Sequence, residues 1–508
     1  MSSLPNYAVL QSCLTNNYMD LILDEGPNLG YIPFTGDSVL SPYAKIAFEK
    51  SEIAPGCVHI RCCYNNKYWT RKSPESGSPI VAGAEEAKPK EENKEKDSGM
   101  DGGKADWDCT LFKVEKHSNG IISIRHIGTG DVLRVEGPKD EGELGDSHSP
   151  EEAGCLVGAK SIGGLSQTQI ALTGEDAPTF AATYLPIYFK VINLSSLVVL
   201  PRYVAFKGDN NNFLQARTIE RHPYLQFSSH DSRNAACQME VFQNPDGTIR
   251  IKSKHFGRFW RRSPNWIWAD SDDTSNNRDT RFKPVKVGSH KIALRNLGNN
   301  RFCSRLTTEG KTSCLNADST TAREEATLEV KELVLSREID NVKYRLQDAT
   351  IYDNSVVLMA TSTTTNSTNQ TTSHTFKFTY KDTTTTMWQA SVSAGLSVEF
   401  TFKGGVPLLA DGEIKISAEI SSIYEWGKVI EDTKELESTE QISVPPMTEV
   451  TCKLLASTGK FGVPFSYTQH DILIDGTEVT YPERDDGVFS GGKTYDVHLE
   501  LTEKPIKK

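Results

Sequence analysis

The chain has 508 residues, 37% of them hydrophobic and 24% charged, with a formal net charge of −11. That length accommodates about three domains with sizeable cores, and the acidic balance argues against nucleic acid as the main partner, because phosphate binding wants a basic surface. No run approaches the roughly 18 apolar residues of a membrane-spanning helix. The start, Met1-Ser2-Ser3-Leu4-Pro5-Asn6-Tyr7, shows neither a basic nor an apolar leader segment, so the expected location is cytoplasmic or nucleocytoplasmic. Ten cysteines lie thinly along the chain, with Cys62-Cys63 adjacent and no C-x-x-C pair. They suggest neither a zinc site nor a disulfide framework, and reduced thiols are the expectation. The sequons at Asn193, Asn366 and Asn369 are then expected to stay unused.

The first two-thirds of the chain repeats itself. His59 to Trp69 resembles Arg250 to Trp260, and each is followed by Ser-Pro, at Ser73-Pro74 and Ser263-Pro264. Asn16-Asn17-Tyr18 likewise matches Asn211-Asn212-Phe213. Two homologous domains are the simplest reading. Inside the second, a polar turn followed by an aromatic recurs at Asn212-Phe213, Arg258-Phe259 and Arg301-Phe302, spaced by 46 and then 43 residues. Three strand–turn–strand units per domain fit a β-trefoil, whereas a propeller needs at least four blades. Expected domains are 5–188 and 196–335, with Tyr184 to Phe189 beginning the passage between them. The first domain is less regular. Its third unit, Ile127 to Leu133, lacks the aromatic. An insertion at about 85–104, rich in Glu, Lys, Pro and Gly, cannot bury a core and reads as a solvated loop. A second soft region spans Glu141 to Gly164.

After about Leu335 the composition turns to Thr and Ser, at Thr361 to Thr375 and Thr383 to Thr386, and residues 336–508 read as a third domain of long strands. The most informative stretch is 390–420. Ala390, Val392, Ala394, Leu396, Val398, Phe400 and Phe402 alternate with mostly polar residues. A turn from Gly404 to Gly412 follows, and Ile414, Ile416, Ala418 and Ile420 resume the parity. Side chains alternate faces along a strand, so this is a hairpin with one apolar and one charged face. Its plain reading is a half-buried antiparallel sheet. Its sharper reading is a membrane-inserting hairpin, since each arm reaches the about 9–11 tilted residues that cross a bilayer. On that reading Val392, Leu396, Val398, Phe400, Phe402, Val406, Leu408, Leu409, Ile414, Ile416 and Ile420 meet lipid, with Val406, Leu408 and Leu409 making an apolar tip. Glu399, Lys403, Glu413, Lys415 and Glu419 then face a watery lumen. Ala390, Ala394 and Ala418 would let the hairpin pack lightly before release. Because lipid tolerates no open sheet edge, several chains must each supply two strands to a closed barrel.

A second signal is the cluster from Arg258 to Trp268. A sugar presents apolar C–H faces and hydroxyls, so its site wants a ring and fixed polar groups. Trp266 and Trp268, on one face by parity, with Asn265 beside them, could supply both or be trefoil core; Trp260 reads as core. No G-x-S-x-G, P-loop or H-E-x-x-H occurs, and the eleven histidines are scattered, so neither catalysis, a cofactor nor a metal is expected.

The segments Val58 to Trp69, Asp106 to Lys113, Tyr203 to Gly208 and Glu325 to Glu329 resemble the amaranthin-like plant agglutinins, over about residues 5–335. Residues 336–508 resemble the aerolysin-type pore-forming module in their Thr/Ser-rich strands, amphipathic hairpin and Pro445-Pro446 turn. The resemblance implies an all-β chain: two tandem β-trefoils followed by an elongated aerolysin-like antiparallel β-domain. It implies binding of galactose or N-acetylgalactosamine-type glycans at a homodimer interface, which brings in Arg71, Ser73 and Glu75 as positions of the first trefoil. Here the family's aromatic-rich stretch is replaced by Glu75-Ser76-Gly77-Ser78-Pro79. The combined expectation is a lectin that carries a β-pore-forming module to membranes as a homo-oligomer, in plant defence or stress. The alternative is a membrane-inactive lectin whose third domain is an oligomerisation module; a glycan-processing enzyme is disfavoured, because no acid/base pair stands out.

Overall fold

The computed structural model describes residues 4–23, 29–75, 77–88, 107–135, 156–159, 187–272, 277–288, 291–390, 399–410 and 412–506. Among these the regular structure is β-strand with short 3₁₀ turns and no α-helix. The chain divides into two compact units, Met1–Leu333 and Val334–Lys508.

The first unit holds two antiparallel sheets of trefoil type, one of 10 and one of 12 strands. In the second trefoil the three turn-plus-aromatic signals each open one hairpin. The hairpins are Phe213–Ile219 with His222–Ser229, Arg258–Ser263 with Trp266–Ser271, and Phe302–Thr308 with Lys311–Ser319. A residue in the left-handed region stands before each: Asn211 (φ 61°), Gly257 (φ 66°) and Asn300 (φ 59°). Asn and Gly tolerate that conformation at little cost, which is why these types recur there. The first trefoil repeats the device at Asn16, Asn66 and Gly130. Its third unit thus keeps the turn although Val132 has replaced the aromatic.

The three hairpins of the second trefoil meet through their second strands, pairing Tyr224 with Trp268, Gln226 with Cys314, and Trp266 with Asn316. Beneath them Trp260 is sealed, packed on Phe206 (5.6 Å between centroids) and edge-on to Phe282 (6.0 Å). Trp69 holds the matching place in the first trefoil, edge-on to Phe112.

Two expectations change in the first trefoil. Phe189–Asn193 is a strand paired with Tyr7–Ser12, so the first sheet runs past 188 and the passage starts later. Within the region read as soft, Leu156–Ala159 pairs with Val132–Val135, because Leu156 is an apolar anchor that a composition average hides. Of the insertion, Glu85 to Lys88 are placed, and the Lys88 amide donates to Thr110 Oγ1 (2.8 Å); 89–104 lie outside the described residues.

The second unit consists of long strands, numbered here from its start: β1 Val334–Tyr344, β2 Thr350–Asn366, β3 Thr372–Ala390, β4 Glu399–Gly404, β5 Pro407–Ala410, β6 Glu413–Ile416, β7 Ile420–Glu425, β8 Val429–Val444, β9 Thr448–Leu473 and β10 Glu478–Pro505. Eight of them form one sheet in the order β7-β4-β1-β9-β10-β3-β8, with β2 on β9; β5 and β6 pair separately. Two cores result. One, of Phe376, Phe378, Cys452 and Leu454, draws on β2, β3, β8, β9 and β10. The other centres on Trp388. Thr fills the solvated side of these strands, where a β-branched polar residue suits a half-exposed pleat. Buried Asn366 pins the turn between β2 and β3: its amide donates to the carbonyls of Gln370, Val444 and Pro445, holding the Pro-Pro turn.

Candidate functional site

The amphipathic hairpin lies at the edge of the second unit's sheet. β4 pairs antiparallel with β7 from Glu399–Glu425 to Gly404–Ile420. β5 and β6 carry the pairing on from Pro407–Ile416 to Ala410–Glu413. The tip is therefore tighter than the expected Gly404–Gly412 turn, and the returning arm extends to Glu425 rather than ending at 420. Val392, Ala394, Leu396 and Val398 lie outside the described residues.

Between the two ladders the register slips by one residue. Gly405 sits at the slip, where a Cβ would come within 2.5 Å of the Ser417 carbonyl, so any other residue would force the strands apart. The slip is pinned on both sides. The Val406 amide donates to Ser417 Oγ and the Ser417 amide to the Val406 carbonyl (both 2.9 Å), while Tyr344 Oη donates to the Gly405 carbonyl (2.7 Å). Burial raises the Tyr344 phenol above its ordinary range, with Tyr424 adding to the shift, so Tyr344 stays a donor.

One face of the hairpin is sealed. Phe400, Phe402, Val406 and Leu409 are buried with Ile339, Phe461, Val463, Phe465, Tyr467 and Phe489 around Trp388. Trp388 lies 4.4 Å from Phe402, 4.9 Å from Phe489, 5.3 Å from Phe465 and 5.4 Å from Tyr424, centroid to centroid. Room for these rings comes from β10. Gly487 stands opposite Phe465 and Gly491 opposite Phe461, and a Cβ at either would lie within 2.5 Å of the facing ring.

The described part of this face is packed by an aromatic clasp and Ala418 is exposed, while the expected packing through Ala390 and Ala394 lies outside the described side chains. The expected single apolar face is also divided by the slip: Leu408 (38% exposed), Ile416 (40%) and Ile420 (39%) face solvent, and Ile414 is half-buried. Glu399, Lys403, Glu413, Lys415 and Glu419 are all exposed, with Lys403 bonded to Glu338 (2.7 Å). Trp388 was missed in the sequence although it continues the even parity of Ala390 to Phe402.

The clasp outweighs the ladder that attaches the hairpin to the body. The parallel pairing of β1 with β4 spans two residue pairs, Glu338–Thr401 and Ile339–Phe402, worth about 1 kcal/mol per hydrogen bond. Burying four large apolar side chains is worth up to ~10 kcal/mol together, as an upper bound. The exposed Lys403–Glu338 pair adds ~1 kcal/mol at most.

The candidate sugar residues fall in two places. Trp266 and Trp268 come together in the hairpin cap of the second trefoil, in a cluster with Tyr224 and Cys314, and Asn265 directly precedes Trp266 in the turn. Trp266 is buried and its indole N–H donates to Glu309 Oε2 (3.3 Å). Trp268 is half-buried, with His222 stacked on one ring face at 4.2 Å and 10°. Burial raises the Tyr224 phenol. Asn265 Oδ1 accepts from Asn299 and Arg262 (both 3.4 Å). Arg71, Ser73 and Glu75 belong to the turn after strand Tyr68–Arg71 of the first trefoil. Arg71 is buried, ion-paired with Asp131 (2.7 Å) and bonded to the Glu75 carbonyl, so its guanidinium shapes the turn from inside. Ser73 Oγ donates to Ser78 Oγ (3.1 Å), and Glu75 is exposed. Among the described residues no group of His, Cys, Asp and Glu is arranged to hold a metal ion.

Comparison with known families places both halves. The Agglutinin domain model matches residues 2–134 and 198–333, and the Clostridium epsilon toxin ETX/Bacillus mosquitocidal toxin MTX2 model matches residues 319–470. No curated protein matches. Similar solved structures include a mosquitocidal holotoxin (13% identity, TM-score 0.27, covering 67% of this chain and 35% of that one). A lamprey immune protein (13%, 0.29, 61% and 91%) and the hemolytic lectin CEL-III (9%, 0.28, 97% and 93%) are also similar. This chain thus spans 35% of the length of the holotoxin. A lectin-type module is joined here to a pore-forming-toxin-type module. With agglutinin matches over more than half of its length, the chain belongs to the agglutinin-domain family and carries an ETX/MTX2 toxin domain behind its two trefoils.

Proposed function

We propose that the protein binds glycoconjugates through its trefoils and inserts the hairpin of β4 to β7 into the membrane that carries them. The observation that carries this reading is the way the hairpin is stored. Its apolar residues are held by side-chain packing around Trp388, while its backbone is attached to the body through a two-pair parallel ladder at a sheet edge and the Tyr344 bond to the Gly405 carbonyl. Such an element can leave as a unit once lipid replaces the aromatic core, because lipid solvates Phe400, Phe402, Val406 and Leu409 as well as protein does.

Several chains supply the strands of one barrel, since a single hairpin cannot close. Weak glycan sites gain avidity in such a ring. Glycans of galactose or N-acetylgalactosamine type and engagement as a homodimer follow from the agglutinin resemblance; action without catalysis, residence in the cytoplasm or nucleus before membrane engagement, and a role in plant defence are part of the same proposal. Ser73, Glu75, Asn265 and Trp268 are the positions best placed to touch sugar, with Arg71 and Trp266 supporting them from within.

The test is dye release from liposomes bearing galactose-type glycolipids. Leu408→Asp and Ile416→Asp change exposed positions, so the fold should survive within ~0.5 kcal/mol, while release should fall to baseline. Release by neither the unaltered protein nor any variant, with glycan binding intact, would favour the membrane-inactive lectin.

A further inference from the structure

Residues directly opposite each other on neighbouring strands share a face of the sheet. In the second trefoil one such row crosses two hairpins. Arg217 stands opposite Tyr224, Tyr224 opposite Trp268, and Trp268 opposite Arg261. The row reads Arg-Tyr-Trp-Arg, two rings with a guanidinium at either end. Tyr224 is buried and meets Trp268 edge-on at 5.6 Å. His222 lies flat on Trp268 and is itself exposed, so the stacked pair ends in an open ring face.

The first trefoil carries the same row with other residues. Trp69 matches Trp260, so Thr70 matches Arg261. Thr70 stands opposite Val81, and Val81 bridges to Tyr31. The Ile22 amide donates to the Tyr31 carbonyl (3.0 Å), and Ile22 packs against Tyr31 and Val81. This row reads Ile-Tyr-Val-Thr and closes as a small apolar cluster. A nearby cation, Lys72, is spent on Tyr31 Oη, to which it donates (2.8 Å). A trefoil cap therefore closes without a tryptophan between two arginines, and folding does not account for them in the second.

The acids around the second row are already engaged. Asp270 accepts two bonds from Arg261 (3.0 and 2.7 Å), Glu220 pairs with Lys311 (2.8 Å), and Glu309 accepts from the Trp266 indole. Arg217 is exposed, and its side chain has no ion pair or hydrogen bond among the described residues. Strands lie about 4.8 Å apart, so Arg217 and Trp268 stand roughly 10 Å apart across Tyr224, a span that a pyranose with a charged substituent bridges.

We propose that this cap binds a galactose-type glycan carrying an anionic group, with its C–H face on the His222–Trp268 stack and its carboxylate or sulfate on Arg217. This rests on the lectin reading and names the ligand class of its second-trefoil site. The ring face serves any sugar of the right shape. The guanidinium adds two parallel N–H bonds to a planar or tetrahedral anion, which a neutral sugar cannot use. The net charge of −11 repels anions only weakly here, because salt screens charges beyond about 8–10 Å.

Titration calorimetry of the full chain with lactose, sialyllactose and sulfated lactose tests this. At least one anionic sugar should bind roughly tenfold tighter than lactose, a gain of about 1.4 kcal/mol, and which one does so tells carboxylate from sulfate. Raising salt from ~50 to ~500 mM should remove most of that gain and leave lactose unchanged. Arg217→Gln should bring the anionic sugars down to the lactose value without altering lactose, and Arg217→Lys should keep part of the gain. His222→Ala, also at an exposed position, should weaken all three sugars alike, by roughly threefold. Arg233→Gln changes an exposed arginine outside the row and should leave every affinity as it was. Equal affinity for charged and neutral sugars, a gain that survives Arg217→Gln, or an equal loss with Arg233→Gln would overturn the anionic site while leaving the lectin reading standing. Binding of none of the three sugars would instead remove the galactose-type lectin reading beneath it.

Discussion

Trp260 and Trp388 are equally sealed from solvent, yet the walls around them differ in kind. Trp260 lies on a strand of the second trefoil, and its neighbours Phe206 and Phe282 belong to strands hydrogen-bonded within one 12-stranded sheet. No neighbour can leave without breaking the trefoil. One wall of the Trp388 core is Phe400, Phe402, Val406 and Leu409, on an edge hairpin held to the body by a two-pair ladder. Equal burial therefore says little about whether a core can open. The number of backbone hydrogen bonds that tie its walls together decides that.

The largest effects should separate these cores. Trp260→Ala should cost about 3–5 kcal/mol and lower the thermal unfolding of the first unit, with glycan binding lost and the second unit's transition unchanged. Phe402→Ala removes a comparable contact, but should act locally. Limited proteolysis should then cut within 399–425 while the trefoils stay resistant and glycan binding persists. Global unfolding of the second unit by Phe402→Ala would erase the distinction.

Next comes the floor of the clasp. Gly487→Ala places a methyl where the Phe465 ring now lies, and should cost ~1–3 kcal/mol through overpacking. Calorimetry should show a loss confined to the second unit. An unchanged transition would mean that Phe465 swings aside freely and the clasp is looser than its contacts imply.

The smallest effect tests the rigid side. Asp209 accepts two bonds from Arg305 (2.7 and 2.6 Å), and chiefly these hold its carboxyl below the usual range. A depressed folded pKa stabilises the fold above the unfolded value, near ~4 for Asp, and that contribution is lost as pH falls through the folded value. Asp209→Asn should thus cost ~0.5–1 kcal/mol at pH 7, discounted for partial exposure. The gap from the unaltered protein should shrink on acidification below about pH 4. A gap that stays constant with pH would assign the cost to packing.

Much of the architecture was legible because local chemistry repeats. The turns at Asn211, Gly257 and Asn300 need left-handed backbone, so their residue types mark the threefold period even where Val132 has replaced an aromatic. Trp69 and Trp260 followed from the same repeat. The sugar positions were less legible. Parity places Trp266 and Trp268 on one side of a strand, but it cannot tell that Glu309 and His222 would come from elsewhere to cover them. Nor can it tell that Arg71 would turn inward to Asp131, sixty residues away in the chain.

What the sequence determined alone was periodicity: the threefold turns, the two-residue alternation of the hairpin, and the Thr-rich strands beside it. These depend on how each residue sits on its own backbone. Only the tertiary structure decided which strands pair and in what register. The same alternation allows Phe402 to stand opposite Ser422 or Ile414. Phe402 stands opposite Ser422 in the fold in which Trp388, Phe465 and Phe489, brought from distant strands, bury its ring.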